Sequence, residues 1–294
     1  MRHFPVNQRK GCQRGLILLA VLWSVMALSL IVMGLAKSLK VEIKQVATDK
    51  KVLQMGALGD AAVLFALKQI AASRATDPIT GMSSQVQLWG QMVDVETLPL
   101  NGLIDLNRAS VELLVDLLQH AGGLAAEPAR ELAHAIQTVR SRDGGTGRSE
   151  EFEAIEDLLR VPGISRKLYA RIEPLVTVHG FGSGKVNPLA APSGVLTVLA
   201  SGNSATSSAF LVRRQSLDAS SRFQLDTTMF TAAHIEVAAS PMLMLTARMP
   251  LDNNLTLTRA WTVKLVAPEP GKLPWQRLDV MQRVLPGVVL RGHS

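Results

Sequence analysis

The stretch QRGLILLAVLWSVMALSLIVMGLAKSLK, residues 13–40, decides the fold because it separates a short basic leader from the rest of the chain. An apolar run without a charged residue extends from Leu16 to Ala36. As an α-helix, a run of about 21 residues spans roughly 30 Å, the thickness of a bilayer's hydrocarbon core. The apolar core of a cleaved secretory signal is only about 7–15 residues long. The length therefore predicts a membrane helix that the mature protein retains.

The charges in front of this run predict its orientation. Arg2, Arg9, Lys10 and Arg14 precede it without an acidic residue, which places the N-terminus in the cytoplasm and the remaining chain outside it. These four residues supply more than half of the formal net charge of +7, so the exported part is too weakly basic to indicate nucleic-acid binding. The single cysteine, Cys12, precedes the run, and the exported part can form no intrachain disulfide.

Apolar residues keep a helical spacing beyond the apolar run, and no proline interrupts them before Pro78. We therefore expect one long helix over 16–73, with a membrane half at 16–36 and an amphipathic half at 37–73 that packs on a globular domain. The glycines at 56 and 59 allow a break in it. The alternative is an ordinary anchor followed by a separate helix.

Two regions read as β-structure. Two short strands are predicted within 85–95, and the Asn101-Gly102 pair after them is a strong turn signal. Further along, 234–267 alternates or is rich in β-formers and predicts two or three antiparallel strands. These regions form a predicted α/β domain in two pieces, 74–108 and 184–266, and 267–294 follows as a tail without assigned structure.

The stretch between these pieces, 109–183, predicts an α-helical insert. One helix begins at an N-cap, Ser110, and ends at Gly122-Gly123, and a second carries Pro128 in its first turn. A helix, tight turn and helix follow in FEAIEDLLRVPGISRKLYARIEPLVTVHG, 152–180.

An internal repeat flanks the helical block. GLIDLNRASVELL, 102–114, aligns without gaps to GKVNPLAAPSGVL, 184–196, and places Asp105 opposite Asn187. Both segments read as a strand that leads into the start of a helix. The helices between them are therefore predicted to be an insertion between two sheet-associated segments.

The sequence carries no catalytic or metal-binding motif. Its histidines are scattered without an H-E-x-x-H pair, and no G-x-S-x-G elbow occurs. The segment HGFGSGKVN fails as a phosphate loop, because His179 replaces the first glycine and Val186 replaces the hydroxyl that would bind magnesium. We therefore predict no catalytic, cofactor-binding or metal-binding residue, and no enzymatic activity.

One motif is more specific. LLRVPGISRKLYARI, 158–172, is typical of a helix-hairpin-helix, and 117–136 reads as a degenerate partner. Such hairpins can present backbone amides to a DNA phosphate, or can simply pack two helices. Ser165, in place of a second glycine, weakens the DNA interpretation, whereas three nearby cations keep it open: Arg166, Lys167 and Arg171. The hairpin turn consists of Val161, Pro162, Gly163 and Ile164.

Together these segments resemble a known family. RGLILLAVLWSVMALSL behind a basic leader resembles a prepilin-type N-terminus. NGLIDLNRASVELL, DLLRVPGISRKLYARI and GKVNPLAAPSGVL, in this order, resemble the K-type minor pseudopilins of type II secretion systems, the general secretion pathway protein K family. The resemblance covers about 14–200 and, more loosely, the strands to 266. It implies an α+β pseudopilin fold, in which the long N-terminal helix packs on an antiparallel sheet and an α-helical domain with helix-hairpin-helix-like elements is inserted.

The resemblance also implies how the N-terminus is processed. Prepilin peptidase would remove the leader, 1–15, by cutting between Gly15 and Leu16, and Leu16 would be N-methylated. Most pseudopilins carry a glutamate at the fifth position after the cut, where this chain has Ala20. The K-type member lacks that glutamate, which suits a subunit at the tip of the fibre with no subunit above it.

The implied partners are the I- and J-type minor pseudopilins, with the H-type and the major pseudopilin as further candidates, and prepilin peptidase. The implied location is the inner membrane, crossed once, with the C-terminal domain in the periplasm. Family members usually carry an acidic stretch after the second helix of the insert, but here 137–151 is short and basic before its glutamates. Calcium needs 6–8 oxygen ligands, so the family's calcium sites are not carried over and no cofactor is expected.

Three functions compete on these observations. The leading one is a structural assembly protein at the tip of a periplasmic pseudopilus, where it helps to initiate assembly for protein export across the outer membrane. The alternative is a membrane-anchored helix-hairpin-helix protein for DNA binding or uptake, although the weak charge speaks against nucleic acid as a partner. An extracytoplasmic enzyme is the third, and it lacks a site.

Overall fold

The computed structural model describes residues 13–72, 80–141, 151–217, 221–251 and 254–286. The chain forms two compact units, Met1–Met55 and Gly56–Ser294. The first twelve residues of the predicted leader lie outside the described residues.

The secondary structure is α+β, and the predicted fold class is confirmed. The α-helices are α1 (Gln13–Ala72), α2 (Val111–Asp116), α3 (Ala126–Arg140), α4 (Arg166–Ile172), α5 (Ser193–Leu199) and α6 (Ser204–Ser216). The strands are β1 (Met82–Leu88), β2 (Gln91–Pro99), β3 (Ile104–Asp105), β4 (Val176–Thr177), β5 (Met242–Leu251), β6 (Leu255–Leu265) and β7 (Trp275–Pro286). Short 3-10 helices cover Leu100–Gly102, Ile155–Arg160, Glu173–Leu175 and Arg222–Gln224, and a π-helical turn, Leu117–Ala121, extends α2.

The main sheet has the strand order β1-β2-β5-β6-β7, and every neighbouring pair is antiparallel. Alternation sorts its side chains, so that in β5 the buried residues Leu243, Leu245, Ala247 and Met249 point to one face. The part of α1 in the second unit packs on this face, with Leu58, Ala62, Val63, Ala66 and Leu67 buried at helical spacing. Helical structure continues through 56–59, where the sequence allowed a break.

Gly59 explains how closely α1 approaches the sheet. A Cβ at this position would lie 2.8 Å from the sulfur of Met249 and 3.0 Å from Cβ of Arg259. A side chain there would therefore push the helix away from β5 and β6.

The helical part lies between β2 and β5 in the sequence and has its own hydrophobic core. Its central members are fully or almost fully buried: Leu113, Leu114, Leu117, Ile136, Leu158, Ile172, Leu196 and Phe210. The first helix of the insert begins where expected, because the Ser110 hydroxyl accepts from the amide of Leu113 at 3.2 Å and caps α2. The Asn203 side chain likewise caps α6.

The packing differs from the predicted division in two places. The core of the insert also takes in α5 and α6, which lie in the segment predicted to belong to the α/β domain. The segment predicted to be a tail contains β7, which pairs with β6 along its length. Two antiparallel strands, β5 and β6, form within 234–267 as predicted, and 234–240 contributes one parallel bridge, between Val186 and Ile235. In each case contacts between residues far apart in the sequence decide the packing, and a local sequence pattern does not record such contacts.

The internal repeat is real in three dimensions. Asp105 and Asn187 are both buried, and the Oδ1 atom of each accepts from the backbone amide two residues later, at 2.9 and 3.0 Å. Each residue's carbonyl then accepts from the amide four residues later, at 2.8 and 3.0 Å. Each segment also makes a parallel β-contact, β3 with β4 and Val186 with Ile235. The same side-chain-closed turn thus starts α2 and α5.

Candidate interaction surfaces

The N-terminal part of α1 exposes an apolar surface. Every large hydrophobic side chain described between Leu18 and Met33 is more than half exposed. The hydroxyls of Ser24 and Ser29 each donate to a carbonyl four residues earlier, at 2.8 Å, so they leave no unpaired donor on this surface. A helix with an apolar surface and paired polar groups is suited to the interior of a bilayer.

By length and composition, the helix that qualifies as a membrane span among the described residues is Gln45–Ala72, and Leu18–Leu30 is a shorter apolar helix. The burial of Leu58, Ala62 and Val63 against the sheet assigns the longer stretch to the domain core instead. The exposed stretch at Leu18–Leu30 is the better candidate for the anchor, and its flanks fall on side chains that are not described.

The predicted processing residues all lie on the first turns of α1. Gly15 and Leu16 are within its helical backbone, and Ala20 is exposed on its surface. Cleavage between Gly15 and Leu16 stays a prediction.

A polar cluster holds α1 on the sheet; it consists of Asp60, Arg259 and Trp261 and is called the lock below. Arg259 on β6 donates to both carboxylate oxygens of Asp60, at 2.6 and 3.1 Å, and the indole N–H of Trp261 donates to Asp60 at 2.7 Å. The guanidinium of Arg277 lies 5.0 Å from the centre of the Trp261 ring. The lock fixes the position of the helix on the sheet, and no local sequence pattern indicates it, because its partners are 199 and 201 residues apart.

Among the described residues, two helical hairpins of the insert and a third that joins its core each turn at a glycine with positive φ. These are Gly123 (φ 74°), Gly163 (φ 96°) and Gly202 (φ 84°), before α3, α4 and α6 respectively. A residue with a Cβ is strained in this region, which explains why glycine recurs. The sequence predicted the first two of these hairpins and did not indicate the third, at Gly202.

The hairpin at 161–164 is built as expected at its turn. Val161 and Ile164 are buried, Pro162 and Gly163 are exposed, and the amide of Ile164 donates to Val161 at 3.2 Å. Its first arm is a 3-10 helix, Ile155–Arg160, and not the predicted α-helix. Only six residues separate its N-terminal cap from the turn, which leaves no room for two α-helical turns.

The cations near this hairpin differ in their roles. Arg166 and Lys167 are exposed, whereas Arg171 donates to the carbonyl of Gly122 at 2.9 Å and joins two hairpins. Acidic residues outnumber basic ones in the described part of the insert, 109–141 and 151–183. Both features weaken the attraction of this surface for a phosphate backbone.

The buried polar groups serve the fold. Burial raises the pKa of Asp105, which receives hydrogen bonds from Asn107 and Arg108. Burial likewise raises the pKa of Asp116, whose carboxylate lies 3.4 Å from the imidazole of His234. Burial, reinforced by nearby glutamates, raises the pKa of Tyr169 to about 12. Across the described part of the chain, no group of three or more histidine, cysteine, aspartate or glutamate residues could hold a metal ion.

No family model and no curated protein matches this sequence. Among solved structures, the chain is similar to a chain of the GspK-GspI-GspJ complex from the enterotoxigenic Escherichia coli Type 2 Secretion System. The two are 15% identical, the likeness covers 82% of this chain and 99% of that chain, and the TM-score is 0.50. At this identity the likeness shows the fold, and it confirms at that level the resemblance to K-type pseudopilins. That neighbour is a component of a secretion complex.

Proposed function

We propose that this chain is a minor pseudopilin of a type II secretion system and occupies the tip of a periplasmic pseudopilus, where it helps to initiate assembly. The observation that supports this most is the pseudopilin-type fold, shared over 82% of the chain with a member of the GspK-GspI-GspJ complex. The apolar surface of α1 between Leu18 and Met33 adds a membrane anchor. Ala20, in place of the usual glutamate, supports the tip position.

The proposed partners are the I- and J-type minor pseudopilins of the same cell, with which the solved neighbour forms its complex. The proposed topology is a single pass through the inner membrane, with the N-terminus in the cytoplasm and the second unit in the periplasm. The basic residues before Gly15 support this orientation.

The DNA-binding alternative is less well supported. An exposed basic surface is what attracts a nucleic acid, and the described part of the insert carries more acids than bases. Arg171, one of three cations that kept this alternative open, is committed to a backbone carbonyl. A salt-dependent shift of duplex DNA by the full chain in detergent would restore this alternative.

Processing can be tested on the mature protein from a membrane fraction. We expect its N-terminal peptide to begin at Leu16 and to carry one N-methyl group. Gly15→Leu should leave the leader in place, because the peptidase needs a small residue at the cut. Gly34→Leu, a glycine replaced by leucine in the same apolar run, should be processed normally. A mature chain that starts at Met1 or beyond Ala36 would contradict the proposal.

Assembly can be tested with the full chain in detergent, co-expressed with the I- and J-type pseudopilins of its own cell. We expect the three proteins to co-purify in a stable complex. A chain that elutes alone at micromolar concentrations of both partners would count against the pseudopilin assignment.

A further inference from the structure

The turn between β1 and β2 contains Trp89, a residue type that this turn conformation disfavours. Leu88 and Gln91 are paired, so the loop consists only of Trp89 and Gly90, with φ 47° and 77°. Positive φ at both central residues defines a type I′ turn, for which Asn-Gly is the preferred pair. A bulky side chain in this region is a genuine outlier, because its Cβ crowds the backbone.

Trp89 gains nothing from the core in return for this strain. Its side chain is 79% exposed, and a Cβ on Gly90 would find no atom within 4 Å, so the turn projects into open space. Strained positions that persist without a packing reason cluster at functional sites. An exposed tryptophan on a rigid two-residue turn is also well prepared for binding, because little conformational freedom remains to be lost.

The surroundings extend the apolar surface. The turn lies at the same end of the sheet as the last residue of β5, the first of β6 and the last of β7, as the pairs Leu251–Leu255 and Leu255–Pro286 show. Met92 is 53% exposed and Leu285 is 45% exposed at this end. Both line a groove of about 730 Å³ on the sheet face opposite α1, together with Ser83, Asp94, Arg248, Pro250, Thr256, Thr258 and Pro286.

The charge of the β1–β2 hairpin indicates which kind of partner Trp89 can contact. Residues 82–96 contain Asp94 and Glu96 and neither lysine nor arginine. A surface that binds anionic lipid carries basic residues beside its aromatic ones, so this hairpin does not suit a membrane surface. A protein with an apolar pocket and an oxygen acceptor for the indole N–H suits it, and tryptophan is prominent among residues that dominate protein interfaces.

We infer that Trp89 is the anchor of a protein–protein contact: it inserts into an apolar pocket of a neighbouring pseudopilin subunit, and Met92 and Leu285 continue the contact. This inference rests on the proposed function, because the partner is an I- or J-type subunit.

The test variant is Trp89→Asn, measured in the full chain in detergent against the co-expressed I- and J-type subunits. Asparagine is favoured at this turn position, so the melting temperature should stay the same or rise. The affinity for the partners should fall by about tenfold or more, as expected for loss of an interface anchor. The matched control is Leu273→Asn, since Leu273 is 63% exposed at the opposite end of the same sheet and its loss should leave affinity unchanged.

Each other outcome overturns the inference. If Trp89→Asn binds as tightly as the parent chain, Trp89 is no anchor, although the proposed function stands. If the variant melts at a clearly lower temperature, Trp89 belongs to the fold. If the parent chain binds neither partner, the proposed function fails and this inference fails with it.

Discussion

The lock between α1 and the sheet gives the sharpest prediction about stability. Asp60→Ala removes the carboxylate that accepts two hydrogen bonds from Arg259 and one from Trp261. The guanidinium and the indole N–H are then left without this acceptor at a site where water has limited access. The side chains of Arg259 and Asp60 are only 23% and 30% exposed.

The size of the effect follows from these contacts. A hydrogen bond to a charged group contributes about 1.5–3 kcal/mol, and such contributions are not additive within one network. Partial exposure lowers the sum, so we expect Asp60→Ala to reduce the free energy of unfolding by about 2–4 kcal/mol. At about 2–4 °C for each kcal/mol in a domain of this size, the melting temperature should fall by roughly 10 °C.

The chain supplies a matched control on the opposite face of the same sheet. Arg248 and Glu96 also form an ion pair at 2.6 Å, but their side chains are 50% and 47% exposed. An exposed pair contributes about 0–1 kcal/mol, so Glu96→Ala should lower the melting temperature by only a few degrees. Thermal melts of both variants, followed by circular dichroism, make the comparison.

The comparison can refute the reasoning. If the two variants lose the same stability, burial does not set the strength of these ion pairs. If Asp60→Ala melts at the same temperature as the parent chain, the lock does not hold α1 on the sheet.

Two further predictions concern the helical part. Gly163→Val forces a β-branched residue to φ 96° and should cost about 1–3 kcal/mol, whereas Arg166→Ala with Lys167→Ala should barely change the melting temperature; equal losses would contradict this. Asp105→Asn places at 105 the residue that stands at 187 in the repeat. Burial raises the pKa of Asp105, so the folded chain holds more protons than the unfolded chain above about pH 4, and stability falls as pH rises through that range. The stability of the variant relative to the parent should therefore increase as pH rises above about 4 in paired melts, and a relative loss would refute this.

Several features could be predicted because short stretches of sequence determine them. The length of the apolar run predicts the N-terminal helix, because about 20 consecutive apolar residues are what a helix needs to span a bilayer. Ser110 and the paired glycines set the ends of α2 by local hydrogen bonding and backbone freedom. The repeat at 102 and 184 could be found because each copy closes its turn with its own side chain.

Other features could not be predicted, because their causes lie far apart in the sequence. The segment before β7 is rich in proline, and β7 becomes a strand only because β6 offers it an edge to pair with. The first arm of the hairpin at 161 has a helical pattern, but the available length admits only a 3-10 helix. The exposed Trp89 reads as an ordinary strand residue until the pairing of Leu88 with Gln91 places it in a turn.

The sequence by itself determined the long N-terminal helix, the class of fold and the order of its motifs, because hydrophobic length and turn chemistry act over a few residues. Only the tertiary structure decided which strands are neighbours, that α5 and α6 share the core of the insert, and that Asp60 meets Arg259 across 199 positions. The physical reason is that burial is a collective property. A residue's partner depends on every segment that excludes water from it, and no local pattern encodes that arrangement.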